Sequence, residues 1–151
     1  MGSKGESIDA FARQYLWQDG KNYAHGTGHG VGSCLSVHEG PQRISPYNSD
    51  AALMPNMILS NEPGYYEVGK YGIRIENLVY VVKSKDPGFL RFENLTMLPY
   101  HNDLINFAML CDNEHKYIEN YHAKIMQIIY PKLSVRAQKW LENEVTPKNK
   151  Y

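Results

Sequence analysis

Two histidines stand at a spacing that could serve metal-dependent chemistry. His25 and His29 lie four positions apart in a segment that carries glycine at every second position from Gly26 to Gly32. Such a segment disfavours a helix and suits an extended strand that lies close to its neighbours. Residues four apart share one face of a strand, so we expect both imidazoles on the same side. Imidazole is a common metal ligand, but a histidine pair taken alone is more often structural or on the surface.

Two glutamates in apolar surroundings add oxygen donors to these nitrogens. Glu62 follows Ile58-Leu59, and Glu76 lies in the apolar run from Gly72 to Val82. An unpaired buried carboxylate costs several kcal/mol, so each would need an arginine, another cation or a metal. Taken singly, Glu76 could form a plain ion pair with Arg74, and Glu62 could be an exposed turn residue. Together with a histidine, the two carboxylates form a mixed nitrogen and oxygen donor set that suits Mn, Co, Fe or Zn.

The first element that must position these side chains is a helix. An apolar face predicts it, with Ser7 as the N-cap and Asp19-Gly20 as its end. The residues of that face recur at helical spacing: Ile8, Phe11, Ala12, Tyr15 and Leu16.

Strands and further helices follow. Strands are predicted over 33–37, 57–60, 72–82 and 90–98, with a loop over 41–55. A helical pattern then ends at Pro131, and Ser134 is predicted to cap a last helix that reaches Val145. The order of helix, close strands and helices indicates an α+β fold with an antiparallel-rich sheet.

Composition excludes several functional classes. The chain has 151 residues, with 42% apolar and 21% charged residues, which is typical of a folded domain. Its 16 basic and 16 acidic side chains balance, so we expect no nucleic acid partner. No apolar stretch approaches the roughly 20 residues that span a bilayer, and no hydrophobic signal region begins the chain. We therefore expect no membrane association and a cytoplasmic location.

Four motifs follow one another along the chain: His-Gly-Thr-Gly-His-Gly-Val-Gly from His25, Val-His-Glu-Gly-Pro-Gln from Val37, Ser-Asn-Glu-Pro-Gly-Tyr-Tyr from Ser60 and Gly-Ile-Arg-Ile-Glu-Asn from Gly72. In this order they resemble the motifs of aminopeptidase P. The family belongs to the pita-bread metallopeptidases, together with prolidase, creatinase and methionine aminopeptidase. The resemblance covers about residues 4 to 145 and is strongest to the long, eukaryote-type form.

The resemblance implies metal-assisted release of the N-terminal residue from peptides with proline in second position. His29, Glu62 and Glu76 match three metal ligands of the family, which usually favours two divalent ions, Mn(II) before Co or Zn. His25 matches a histidine that lines the substrate pocket, and His38 one that binds substrate and stabilises the oxyanion. Glu62 is the expected proton shuttle, and Arg74 the arginine that holds the neighbouring carboxylates. Tyr65 and Tyr66 either line the cleft or pack.

Two aspartates that complete the family's ligand set have no match. Asp9 lies on the predicted helix and Asp19 at its end, neither in a strand. The resemblance therefore implies the C-terminal part of a catalytic domain over 1–100 and a helical C-terminal extension over 101–151, with an incomplete metal site and no activity of its own. A homodimer is expected, since the extension contributes to dimer contacts in the family. A non-catalytic binding or dimerisation module and a prolidase-like X-Pro dipeptidase are the alternatives.

Overall fold

The structure, a computed structural model, describes residues 2–34, 36–47 and 51–146. It divides into two units, Met1–Thr96 and Met97–Tyr151. The predicted domain boundary at residues 100 and 101 stays a prediction.

In its described residues, the first unit holds one helix and seven short strands. All strand pairs are antiparallel, as expected for this α+β fold, and they form three small sheets of order β1-β2, β3-β6-β7 and β4-β5. The elements are α1 (Glu6–Gln18), β1 (Gly28–His29), β2 (Arg43–Ile44), β3 (Ile58–Asn61), β4 (Gly64–Glu67), β5 (Tyr71–Arg74), β6 (Asn77–Lys83) and β7 (Leu90–Asn94).

The core of this unit lies around the three-stranded sheet. Strand β6 alternates buried and partly buried residues, as a strand with one covered face should. Leu59 of β3 is completely buried between its neighbours. The apolar side chains that pack together there are Ile44, Leu53, Leu59, Val79 and Val81.

The predicted strand over 72–82 is wrong as a single element. The chain leaves one sheet after Arg74 and enters another at Asn77. The amide of Ile75 donates to the carbonyl of Pro63, 3.2 Å away, and Glu76 is exposed at the break. The residues before the break pair with β4, which was not predicted, and those after it pair with β3 and β7.

The predicted strand over 33–37 is also wrong for its described residues, which are irregular; Leu35 lies outside the described residues. The amide of Gly32 donates to the carbonyl of Ser36, and the amide of Glu39 to the carbonyl of Gly30. These bonds close a tight loop in place of a ladder. Positions 48–50 of the predicted loop also lie outside the described residues, and the rest of it contains the short strand β2.

Helix α1 ends at Asp19 as predicted, but its cap and its buried face differ from the prediction. The N-cap is Gly5, not Ser7, because the helix begins at Glu6, two residues earlier than predicted. Phe11 and Tyr15, placed on the apolar face, are exposed, whereas Asp9 and Arg13 are buried. A charged pair thus turns inward on this helix.

The second unit contains helices α2 (Asp112–Ile128) and α3 (Val135–Val145) with short 3-10 turns. Both helices confirm the prediction, and the Ser134 side chain accepts from the amide of Ala137 as a cap. Tyr121, Ile125 and Leu141 form the core. Among the described residues, none of the helices has the length and apolar character needed to cross a membrane.

Candidate active site

Strand β1 lies against β3 at unusually close range. A Cβ at Gly28 would stand 2.0 Å from the carbonyl oxygen of Ser60, so only glycine fits there. The amide of His29 donates to Ser60 Oγ at 2.9 Å, and Gly30 bridges to Leu59. The glycines predicted to permit close packing therefore bring His29 to the end of β3, where Glu62 follows.

His29 directs one ring nitrogen at Glu62. Its Nδ1 lies 2.9 Å from the carbonyl oxygen of Gly30, which can only accept, so Nδ1 carries the hydrogen. Its Nε2 lies 3.1 Å from Glu62 Oε1. In a neutral ring, both of these facing atoms are acceptors, and a proton or a cation must lie between them for the contact to be stable. The ring of His38 stands 4.0 Å from the ring of His29.

Glu62 is buried, with 7% of its surface exposed, so the alternative of an exposed turn residue is wrong. Its Oε1 accepts from Ser60 Oγ at 2.9 Å, and its Oε2 accepts from Arg74 Nη1 at 3.1 Å. Its amide donates to the carbonyl of Thr27. The cost of burying this charge is offset by a cation and a hydroxyl donor.

Arg74 and Tyr66 continue this network to the other histidine. Arg74 Nε donates to the Tyr66 hydroxyl at 2.8 Å, and that hydroxyl lies 2.8 Å from His25 Nε2. His25 Nδ1 lies 2.8 Å from the carbonyl of Gly26, so Nε2 is left to accept from Tyr66. The hydrogen bond to Tyr66 raises the pKa of the Arg74 guanidinium. Tyr66 is not among the residues that line the cleft, but its hydroxyl links two residues that are.

These side chains surround a cleft of about 400 Å³. Glycine backbone forms part of its wall, and Tyr66 supports it through His25 and Arg74. Its lining residues are His25, Gly26, Gly28, His29, His38, Arg43, Ser45, Glu62 and Arg74. The structure thus brings together five of the six predicted site residues.

Glu76 is the predicted site residue that does not join this group. It is exposed at the break between β5 and β6 and does not line the cleft. It influences Arg74 as a nearby negative charge, but the hydrogen-bonded ion pair of Arg74 is with Glu62. Within residues 2–34, 36–47 and 51–146, no group of three or more His, Cys, Asp or Glu side chains is close enough to hold a metal.

The pair of His29 and Glu62 nevertheless fits a divalent metal. Imidazole nitrogen and carboxylate oxygen suit Mn, Co and Zn. A metal-ligating histidine typically donates its other ring N–H to a carbonyl, as His29 does to Gly30. Two donors alone make an incomplete site, so further ligands would be needed.

Comparison with known proteins decides the family. Residues 1–83 match the profile of metallopeptidase family M24, and residues 88–148 match the C-terminal region of peptidase M24. The chain belongs to metallopeptidase family M24. This confirms the resemblance to the pita-bread metallopeptidases.

The similar proteins are longer than this chain. A probable Xaa-Pro aminopeptidase P of Coprinopsis cinerea is 49% identical over 97% of this chain and 25% of its own length. A putative Xaa-Pro aminopeptidase of Saccharomyces cerevisiae is 46% identical over 95% of this chain and 20% of its own length. The M24 chain therefore spans about a quarter of the relatives it matches.

Solved structures confirm the fold. The X-prolyl aminopeptidase of Caenorhabditis elegans, described as a cytosolic enzyme with a di-nuclear active site, superposes with a TM-score of 0.89 at 35% identity over 97% of this chain and 25% of that chain. A prolidase from Thermococcus sibiricus gives a TM-score of 0.52 at 38% identity over 63% of this chain and 24% of that chain. The expected fold, the C-terminal half of a pita-bread fold with helices and antiparallel sheets, is confirmed.

Proposed function

We propose that this chain supplies part of the active site of a metal-dependent Xaa-Pro aminopeptidase, which releases the N-terminal residue from peptides with proline in second position. The observation that carries the proposal is the contact of 3.1 Å between His29 Nε2 and Glu62 Oε1 at a cleft. It supports a metal site because two acceptor atoms face each other there, on a chain of a metallopeptidase family.

His29, Glu62 and Glu76 would hold the metal in this proposal, and the remaining donors would lie outside these 151 residues. Glu76 would have to turn toward the cleft. Divalent ions, proposed as two Mn(II) with Co and Zn as alternatives, would supply Lewis-acid polarisation of the scissile carbonyl and activation of the attacking water. The chain alone is expected to lack activity because its donor set is incomplete.

The other cleft residues have distinct proposed roles. Glu62 would accept a proton from the attacking water and pass it to the leaving amine. His38, exposed at the cleft beside His29, would donate to the oxyanion that develops on the carbonyl. Arg74 would hold Glu62 in place, and His25 would contact the substrate, with its ring fixed by Tyr66 and Gly26.

Substrate length distinguishes this proposal from a prolidase-like dipeptidase. Similarity to the C. elegans aminopeptidase extends over 97% of the chain, whereas similarity to the prolidase covers 63%. The match of residues 88–148 to the M24 C-terminal region also favours the long aminopeptidase. A homodimer and a cytoplasmic location are part of the same proposal; the location is supported by the description of the C. elegans enzyme as cytosolic.

A chimera tests the proposal. This chain would replace the matching quarter of the C. elegans enzyme, and hydrolysis of an Arg-Pro-Pro peptide and of an Arg-Pro dipeptide would be measured with Mn(II) present. We expect release of arginine from the tripeptide at a higher kcat/KM than from the dipeptide. Preference for the dipeptide would favour the prolidase-like alternative. A folded, metal-loaded but inactive chimera would favour the non-catalytic module.

A further inference from the structure

A buried charge network joins helix α1 to the segment that carries the two cleft histidines. Arg13 and Asp9 are each 2% exposed, and Arg13 Nε donates to Asp9 Oδ2 at 2.6 Å. The same guanidinium donates to the carbonyl of Tyr23 and to the carbonyl of His25, both at 2.7 Å. It also donates to Asn22 Oδ1 at 2.9 Å, so its fork holds three points on the chain after α1.

Thr27 adds a fourth point between the histidines. It is 1% exposed, and its hydroxyl donates to Asp9 Oδ1 at 2.6 Å. Because that hydrogen is given to the carboxylate, the Tyr23 hydroxyl must be the donor in its own 2.6 Å contact with Thr27 Oγ1. The Tyr23 ring also lies 3.9 Å from the Arg13 guanidinium carbon and 4.9 Å from the His25 ring.

We propose that Asp9, Arg13 and Thr27 are positioning residues that set the orientation of His25 and His29 in the cleft. None of the three lines the cleft. Arg13 holds the backbone carbonyl of His25, and Asp9 holds the hydroxyl of Thr27. The imidazoles on either side of Thr27 can therefore point away from this network and into the cleft.

The chemistry of the network favours this role over simple stabilisation. Burying an ion pair costs desolvation that its attraction only partly offsets, and apolar residues could fill the same volume. Apolar side chains could not, however, fix two carbonyls and one hydroxyl at set positions. A planar guanidinium with five donors and an acceptor-only carboxylate can do so.

The inference rests on the proposed function only in treating the two imidazoles as site residues, and it can be tested on the metal-free chain. In the native chain both rings carry the hydrogen on Nδ1, each bonded to the next residue's carbonyl. Long-range 1H–15N spectra of 15N-histidine protein report this tautomer directly. Amide hydrogen exchange reports local order at Gly28 and His29, with Val79 and Val81 of the core as internal references. Failure of the peptidase proposal would leave these readouts unchanged.

Thr27→Val removes the hydroxyl at constant shape, and Thr27→Ser restores it. We expect Thr27→Val to mix the tautomers of His25 and His29 and to lower amide protection at Gly28 by about tenfold or more, the scale of one lost buried hydrogen bond. Protection at Val79 should change less than twofold. Thr27→Ser should recover the native tautomers.

Arg13→Lys keeps the charge but loses the branched guanidinium that bonds several acceptors at once, and the same substitution at the exposed Arg91 of β7 is the matched control. Arg13→Lys should reproduce the effect of Thr27→Val, and Arg91→Lys should not. Unchanged tautomers and protection in Thr27→Val and Arg13→Lys would overturn the proposal. So would an equal loss of protection at Val79 in both variants, because the network would then stabilise the unit as a whole.

Discussion

At the scale of residues, the site depends on how one buried carboxylate is satisfied. Glu62 has Ser60 and Arg74 as donors, and the Nε2 of His29 as its third neighbour. A proton or a metal ion can occupy the position between His29 and Glu62. In the proposed peptidase, that position would hold a metal ion beside the proposed general base.

The ligand assignment predicts which alanine substitutions abolish activity. In the active chimera, His29→Ala, Glu62→Ala and Glu76→Ala should each lower kcat/KM by about 10²-fold or more, because each removes a metal donor and Glu62 is also the proposed base. His101→Ala, in the second unit, should leave kcat/KM unchanged. Steady-state kinetics with Mn(II) and metal analysis check this. Full activity and metal content in Glu76→Ala would remove Glu76 from the ligand set.

His122 predicts a pH dependence of stability that is separate from the cleft. It is 5% exposed, its Nε2 accepts from the amide of Tyr100, and burial lowers the pKa of its imidazole. The unfolded chain therefore binds the proton more readily, and the free energy of unfolding falls as the pH drops from about 6.5 toward the lower folded pKa.

Thermal unfolding between pH 5 and 8 measures this contribution. His122→Gln should flatten the acid side of the curve, whereas His115→Gln on the same helix should not. A His122→Gln curve parallel to that of the native chain would show that His122 contributes nothing to the acid sensitivity.

At the scale of elements, close backbone contact between β1 and β3 builds the cleft. The β1 strand has only two residues, and its ladder to β2 is correspondingly short. Its position depends on the approach of Gly28 to Ser60 and on the anchoring of the preceding residues by α1. We therefore expect a substitution at the contact between Gly28 and Ser60 to lower the stability of the whole first unit.

Gly28→Ala tests this contact. The added Cβ would meet the Ser60 carbonyl, which is backbone and cannot rotate away, so we expect the free energy of unfolding to drop by about 1–3 kcal/mol. Gly40→Ala is the control because a Cβ there meets nothing within 4 Å. Urea unfolding gives both values. Equal stability of the two variants would mean that β1 can move away from β3 at little cost.

Local pattern predicted some elements and not others. The periodicity of Tyr121 and Ile125 and the cap at Ser134 are local signals, and α2 and α3 appeared where predicted. The break at Ile75 depends on which strands pair with the residues on its two sides. The apolar sequence around the break does not indicate those partner strands. Likewise, the inward face of α1 is decided by Arg13 bonding to distant carbonyls.

The site residues likewise divide into those that a local motif predicts and those that only contacts across the fold reveal. His25, His29, Glu62 and Arg74 were predicted from motif residues, and all four line the cleft. Tyr66 was left between two roles because its bonds reach His25 and Arg74 across the fold. No sequence spacing relates Asp9 and Thr27, so their contact could be found only in three dimensions.

At the scale of the whole molecule, each unit carries large apolar side chains on its surface. In the first unit, α1 exposes Phe11, Tyr15 and Trp17, and β5 with the residue after it exposes Tyr71, Ile73 and Ile75. In the second, Tyr117 and Trp140 are about half exposed. A formal net charge of zero provides little repulsion between copies.

These surfaces predict self-association of the chain. Sedimentation at about 100 μM, where micromolar complexes persist, should show species heavier than 17.3 kDa. A chain ending at Thr96 separates the causes: it should still associate through its exposed apolar strand and helix faces, but should lose a dimer that depends on the second unit. If both samples were monomeric, the proposed homodimer and the association through exposed apolar faces would both be contradicted.

The most direct test of the proposed metallopeptidase site is anomalous diffraction from the Mn(II)-loaded chimera. We predict Mn peaks in the cleft, within about 2.2 Å of His29 Nε2 and of a Glu62 carboxylate oxygen, with Glu76 turned to reach a metal. A cleft without Mn in an active, metal-loaded chimera, with Glu62 bonded only to Ser60 and Arg74 and the Mn peaks elsewhere, would contradict the account.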